Sequence, residues 1–355
     1  MKRNYGIDTL RIVSMVFVIL LHLTGIGGIC GNSELMSPQF LISQLIRMGT
    51  FCAVNCYALI SGYVGWSRTP KLSSLLNLWV KVVLFCVVIT VATQLRAPEA
   101  VGLPDLWKAF TPVREAKYWY FSAYVGLFFF LPLLNHAIRN ISGREAVLSV
   151  TGLMLIVLWL PYSQIRQVFQ MGNGYSALWL MILYIVGGLM SRFEIPSRLP
   201  TWSWALGYVL AVAMSFVPRM VKLAMEPELW TPDNQNLSMQ YTNFSVILAG
   251  VMLVCWFSRM DLPQWMVRIT RALSPHAFGV YLCHTHTLVF LTAISGQFAW
   301  LGTAPVWKLL VGTFGATGII YAVGTAMDWV LTWLMKLVRL DRILKKVDRL
   351  TTGAK

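Results

Sequence analysis

Two residues at the ends of one apolar stretch, RIVSMVFVILLH, carry chemistry: Arg11 and His22. Neutral imidazole, with an ordinary pKa near 6.5, accepts protons at physiological pH. Guanidinium is a permanent cation that grips oxyanions. Their positions differ by eleven, so on an α-helix they sit only about 20° apart around the axis and about 16 Å apart along it. One face then bears a cation at one end and a candidate base at the other. Each residue also has a structural alternative. An arginine about a turn inside a span can snorkel to the interface, and a histidine between helices can be a neutral, hydrogen-bonded strut. Asp8 stands three residues before Arg11 and is spaced to pair with it on a helix.

Other polar groups stand inside apolar runs. Arg47 and Lys81 read equally well as snorkelling anchors or as parts of a site. His284 and His286 form an H-x-H pair, whose rings diverge by about 200° on a helix and do not easily hold one ion. No HExxH, GxSxG, GxGxxG or phosphate-binding loop occurs, and no metal is expected. Gly172-Asn173-Gly174 reads as a turn.

The elements that position these groups are membrane spans. Of 355 residues, 57% are hydrophobic and only 12% are charged, and mean hydropathy is +0.64. Soluble domains carry about a quarter charged residues. Apolar segments at 7–29, 40–64, 74–95, 119–138, 146–162, 175–190, 202–218, 241–258, 277–295 and 307–338 predict a polytopic all-α bundle of about ten transmembrane helices. The last segment is long enough to tilt or to continue as a cytoplasmic helix. The basic N-terminus precedes a run too long for a signal peptide, which also carries Asp8 and Arg11, so the first span is expected to be uncleaved. The six cysteines form no CxxC pair and read as small buried apolar residues.

The net charge of +15 does not indicate nucleic acid, because the cations lie in short loops between apolar runs. One set of loops holds Lys2 and Arg3, Arg68 and Lys71, Arg139 and Arg144, Arg192 and Arg198, Arg259, Arg268 and Arg271, and the tail RLDRILKKVDRL. The other holds Glu34, Glu99, Asp105, Glu115, Glu226, Glu228 and Asp233. The positive-inside rule places the first set, and with it both termini, in the cytoplasm. The two longest outer loops, at about 97–117 and 219–240, are placed to cap a site open to the outside. No internal repeat is visible, which weighs against transporter folds built from repeated halves.

The opening YGIDTLRIVSMVFVILLH resembles that of the membrane-bound acyltransferase family 3 proteins, with Gly6 to Arg11 matching the lead-in and Arg11 and His22 the arginine–histidine spacing. Further likenesses follow in order. ALISGY, with Ser61, resembles the Ser-Gly-aromatic end of span two. Arg68 and Lys71 resemble a basic pair that is usually two arginines; the lysine keeps charge but not the bidentate fork. YWYFSAYVGLFFFLPLLN resembles the aromatic fourth span, and GVYLCHTHTL the segment in which Tyr281 and His284 fall in register. The resemblance covers most of the chain. It implies residues 1–340 as one acyltransferase-like transmembrane domain and 341–355 as a basic cytoplasmic tail. No appended hydrolase-type domain is expected.

The resemblance further implies a membrane O-acyltransferase, most often an O-acetyltransferase of the cell membrane. It would move an acyl group from cytoplasmic acetyl-CoA or another acyl-CoA to a hydroxyl of a cell-surface glycan or lipid-linked saccharide. No bound cofactor is expected, and the partners are the donor, the acceptor and the bilayer. His22 would act as general base or as transient acyl carrier. Arg11 would hold the donor near the entrance or keep the polar path charged, and Arg68 and Lys71 would stand near the phosphates. Asp8, Ser61, Tyr57, Trp119, Tyr120, Tyr281 and His284 would support or line the path, though the aromatics read more simply as membrane-interface residues, and Asp8 and His284 equally well as structural ones. A transporter of a glycan precursor or small anion is the alternative, since polar residues in spans suit that class too.

Overall fold

The computed structural model describes residues 3–97, 99, 102–115, 117–159, 169–231 and 239–352. Asp233 and the end of the expected span 146–162 lie outside these. Among the described residues all regular structure is helical. The helices are α1 (Tyr5–Thr24), α2 (Pro38–Thr50), α3 (Ala53–Gly65), α4 (Leu72–Arg96), α5 (Leu103–Ala109), α6 (Trp119–Asn140) and α7 (Gly143–Trp159). They continue as α8 (Ala177–Arg192), α9 (Thr201–Met225), α10 (Phe244–Ser258), α11 (Gln264–Leu273), α12 (Ala277–Thr285), α13 (Val306–Leu337) and α14 (Leu340–Thr352).

Six of these elements are long and apolar enough to cross a bilayer: α1, α2 with α3, α4, α6, α9 and α13. A seventh arises if α11 and α12 form one crossing with the segment Thr287–Ile294, from which they are bent by 60°. This is fewer than the ten expected. Apolar helices α8 and α10 have 16 and 15 residues, which is short of the roughly 20 that span a hydrocarbon core unaided. Hydropathy registers burial in protein and burial in lipid alike, and both helices lie against the packed interior. The last long helix does not run on into the tail. It stops at Leu337, and Arg339, at φ 54°, turns the chain into α14. There Asp348 accepts from the backbone N–H and hydroxyl of Ser73 at 3.0 and 2.6 Å, pinning the tail to the start of α4.

Helix α1 is the axis of the molecule. Asn4 caps it by accepting from Ile7 N–H, and its amide donates to the Ser258 carbonyl at 2.8 Å. Ile7, Leu10 and Leu21 face a first core built largely from α3, α6, α8 and α10. Met15, Val18, Ile19 and Leu23 face a second built largely from α4, α12 and α13.

Each half has its own fastening. In the first, α3 and α8 meet backbone to backbone. A Cβ on Gly62 would lie 1.9 Å from the Tyr184 carbonyl oxygen, and one on Gly187 would lie 2.1 Å from that of Leu59. Only glycine fits at either point, which is the small-residue packing that draws helices together in membranes. In the second half, Lys81 of α4 reaches the fully buried Asp328 of α13 at 2.8 Å, and His276 Nδ1 lies 2.7 Å from the same carboxylate. Lys81 is therefore an ion-paired residue rather than a snorkelling anchor. Gly279 leaves the room this carboxylate occupies, since a Cβ there would fall 2.2 Å from Asp328 Oδ1.

Candidate active site

Between the two halves, along α1, lies a cavity of about 560 Å³. Arg11, Met15, Val18, Leu21 and His22 form its α1 wall, one face of the helix from end to end. Tyr57 and Ser61 of α3, Trp119 and Tyr120 of α6, and Tyr281 of α12 line it as well. Tyr57 donates its hydroxyl to the Arg11 carbonyl at 2.6 Å, and Ser61 donates to the Tyr57 carbonyl at 2.8 Å. Tyr120 sits between Tyr57 and Tyr281 at ring distances of 6.3 and 6.4 Å.

His22 does not stand alone. Its Nδ1 lies 3.2 Å from His284 Nε2, and His284 Nδ1 lies 2.6 Å from the Val280 carbonyl oxygen. A carbonyl only accepts, so His284 carries its proton on Nδ1. Its Nε2 is then an acceptor in the neutral ring, and His22 must donate from Nδ1. The bond order therefore assigns both tautomers and leaves the lone pair of His22 on Nε2. The Phe290 edge packs against the His22 ring at 5.1 Å. His284 is 2% exposed, so this backing is fixed by packing. His286 plays a different part. The helix breaks there, with ψ at 129°, and its Nδ1 accepts from Leu288 N–H at 3.3 Å.

At its other end the cavity meets a second one. Arg11 also lines a space of about 720 Å³ with Arg3, Asp8, Arg68 and Arg259. Asp8 is 5% exposed and bridges two guanidiniums, Arg11 and, at 2.6 Å, Arg3. The pairing expected of Asp8 and Arg11 is thus present, with Arg3 as a third member. Lys71 does not line this space. It caps the start of α4 next to Asp348, whose carboxyl the Ser73 hydroxyl and N–H hold below the usual carboxylate range.

His22 is likewise shared. With Leu21, Gly25, Arg47, Asn173 and Gln240 it lines a cavity of about 280 Å³ that continues beyond the end of α1. Arg47 is 5% exposed and forms part of this wall, so it is no snorkelling anchor. The Gly172–Gly174 turn also does more than reverse the chain. Gly174, at φ 99°, brings it against Tyr241, where a Cβ would lie 2.4 Å from the tyrosine Cβ, and Asn173 reaches the cavity.

As site residues, Arg3, Arg259, Asn173 and Gln240 were not singled out by sequence, nor were His276 and Asp328. The signal that could have found Asp328 is a lone aspartate in the last apolar run, which calls for a cation.

Against known proteins, a family model described as an acyltransferase domain matches residues 4–325, nearly the whole chain. No curated protein and no solved structure matches.

Proposed function

The chain belongs to the acyltransferase family 3, and from that premise we propose that it is an acyl-CoA-dependent membrane O-acyltransferase, most simply an acetyltransferase, acting on a saccharide hydroxyl. The observation that carries this reading is the position of His22. It stands where two cavities meet, with its free Nε2 set by the His284 bond.

The proposed topology has cytoplasmic termini in the cell membrane, as the loop charges favour, and reaches ten crossings with the shorter apolar helices α7, α8 and α10 crossing inside the bundle. The nucleotide and phosphates of the donor occupy the basic space beside Arg3, Arg68 and Arg259, whose lining does not include Lys71. The pantetheine arm passes Arg11, which Asp8 orients, and runs between Tyr57, Ser61, Trp119, Tyr120 and Tyr281. This carries the thioester along the roughly 16 Å that separates Arg11 from His22 on the helix.

The acceptor hydroxyl arrives from the opposite cavity. His22 Nε2 takes its proton, and the oxygen attacks the thioester carbon. The C–S bond then breaks, and the imidazolium returns the proton to the departing thiolate. His284 is the positioning residue, since its Nε2 holds the His22 Nδ1–H throughout. Donor and acceptor sides touch at one imidazole, so transfer is direct and needs no acyl-histidine carrier.

Purified protein supplied with labelled acetyl-CoA and a saccharide extract tests this. Thiol release with label on saccharide, and none trapped on protein by rapid quenching, is expected. Label held on His22 would establish the carrier route, and saccharide flux without thioester consumption would establish a transporter.

A further inference from the structure

Resting on the reading above, we infer that Phe290 sets how long an acyl group the site accepts. Phe290 stands past the break at His286, in the segment Thr287–Ile294 that leaves the line of α12 by 60°. It opens a π-turn, Phe290–Ile294, closed by the Ser295 N–H on the Phe290 carbonyl at 2.8 Å. Single π-turns recur at functional sites. The chain that follows is stitched to the turn after α1. Gly296 N–H donates to the Ile26 carbonyl at 3.0 Å, and Phe298 N–H to that of Gly27 at 2.9 Å. Gly27 N–H in turn donates to the His22 carbonyl at 2.7 Å. Backbone bonds therefore fix Phe290 relative to His22, and their rings meet at 87° with centroids 5.1 Å apart.

Phe290 lines the cavity of about 560 Å³ but not the one beyond His22. It bounds the donor, not the acceptor. Ile26 and Gly27 follow Thr24, the last residue of α1, so the segment tied to them stands at the end of the cavity away from Arg11. A donor arm that enters past Arg11 brings its thioester carbon to His22 and points its acyl chain onward, toward that end. The groups around His22 there are Val18, Leu21, Thr285 and Phe290. Of these, Phe290 is the one that sets an aromatic ring against the His22 ring, across the direction in which each added methylene would extend. Densely packed interiors yield little to such an addition, and one methylene in an apolar pocket changes specificity by about 10- to 200-fold.

The test gives purified parent, Phe290→Leu and Phe290→Ala labelled acetyl-, butyryl- or hexanoyl-CoA with the saccharide extract, and takes kcat/KM for each donor from label on saccharide. The parent is expected to favour acetyl over butyryl by at least about tenfold. Phe290→Leu and then Phe290→Ala are expected to narrow that ratio stepwise, to about parity in the alanine variant, even as the absolute rate falls, because the same ring backs His22. The ratio is taken within one preparation, so any misfolded fraction cancels from it. Where transfer is too slow to follow, displacement of labelled acetyl-CoA by butyryl-CoA reads the same preference. Equal or better use of butyryl- or hexanoyl-CoA by the parent overturns the inference, as does a ratio that neither variant moves. A parent that transfers from none of the donors overturns instead the acyltransferase reading on which the inference stands.

Discussion

At the scale of single residues, the site turns on which nitrogen of His22 is free. The Val280 carbonyl fixes the His284 proton, and His284 fixes that of His22. Truncating His284 leaves the His22 Nδ1–H without its acceptor and opens space for the ring to rotate. His284→Ala is expected to slow acyl transfer roughly 10- to 100-fold, while His284→Gln, whose carbonyl can stand in for Nε2, recovers part of the loss. Single-turnover transfer at saturating donor measures this. Recovery by glutamine separates orientation of His22 from mere filling of space. Sequence alone pointed to both histidines, but not to their contact. They are 262 positions apart, and no local pattern carries a pairing of that range.

At the scale of elements, glycine decides how closely the helices that carry the site can approach. Tyr57 and Ser61 are held on α3, and α3 reaches α8 only because Gly62 and Gly187 lack side chains. Gly62→Leu or Gly187→Leu would drive carbons into opposing carbonyls. Destabilisation at or above the about 1–3 kcal/mol usual for overpacked cores is expected, read as a lower midpoint of thermal unfolding in detergent, with a matching loss at the peripheral control Gly152→Leu ruled against. A Cβ at Gly152 meets nothing within 4 Å. The apolar runs announced most helices because burial leaves a long hydrophobic signature. The break at His286, the turn at Arg339 and the shortness of α8 and α10 were not legible, since each depends on neighbours rather than on local composition.

At the scale of the whole molecule, the family fold becomes a route. Basic space, aromatic cavity and the cavity beyond His22 succeed one another, joined at Arg11 and His22. The shared helix face of Arg11 and His22 was foreseen from an eleven-position spacing, but not the cavities that meet at them. The wall beyond His22, with Arg47 and Asn173, depends on α2 and the 172–174 turn coming together, which only the folded chain shows. The Lys81–Asp328 pair keeps the second half assembled around the same route, 247 positions apart in sequence. The central claim is that His22 is the base at the joint between donor and acceptor. It is tested most directly by the rate of acyl transfer from acetyl-CoA catalysed by purified His22→Ala, inserted at the parent's level and binding donor with the parent's affinity. A fall of at least about 100-fold is expected, within the range that general-base removal produces; transfer at the parent's rate would contradict it.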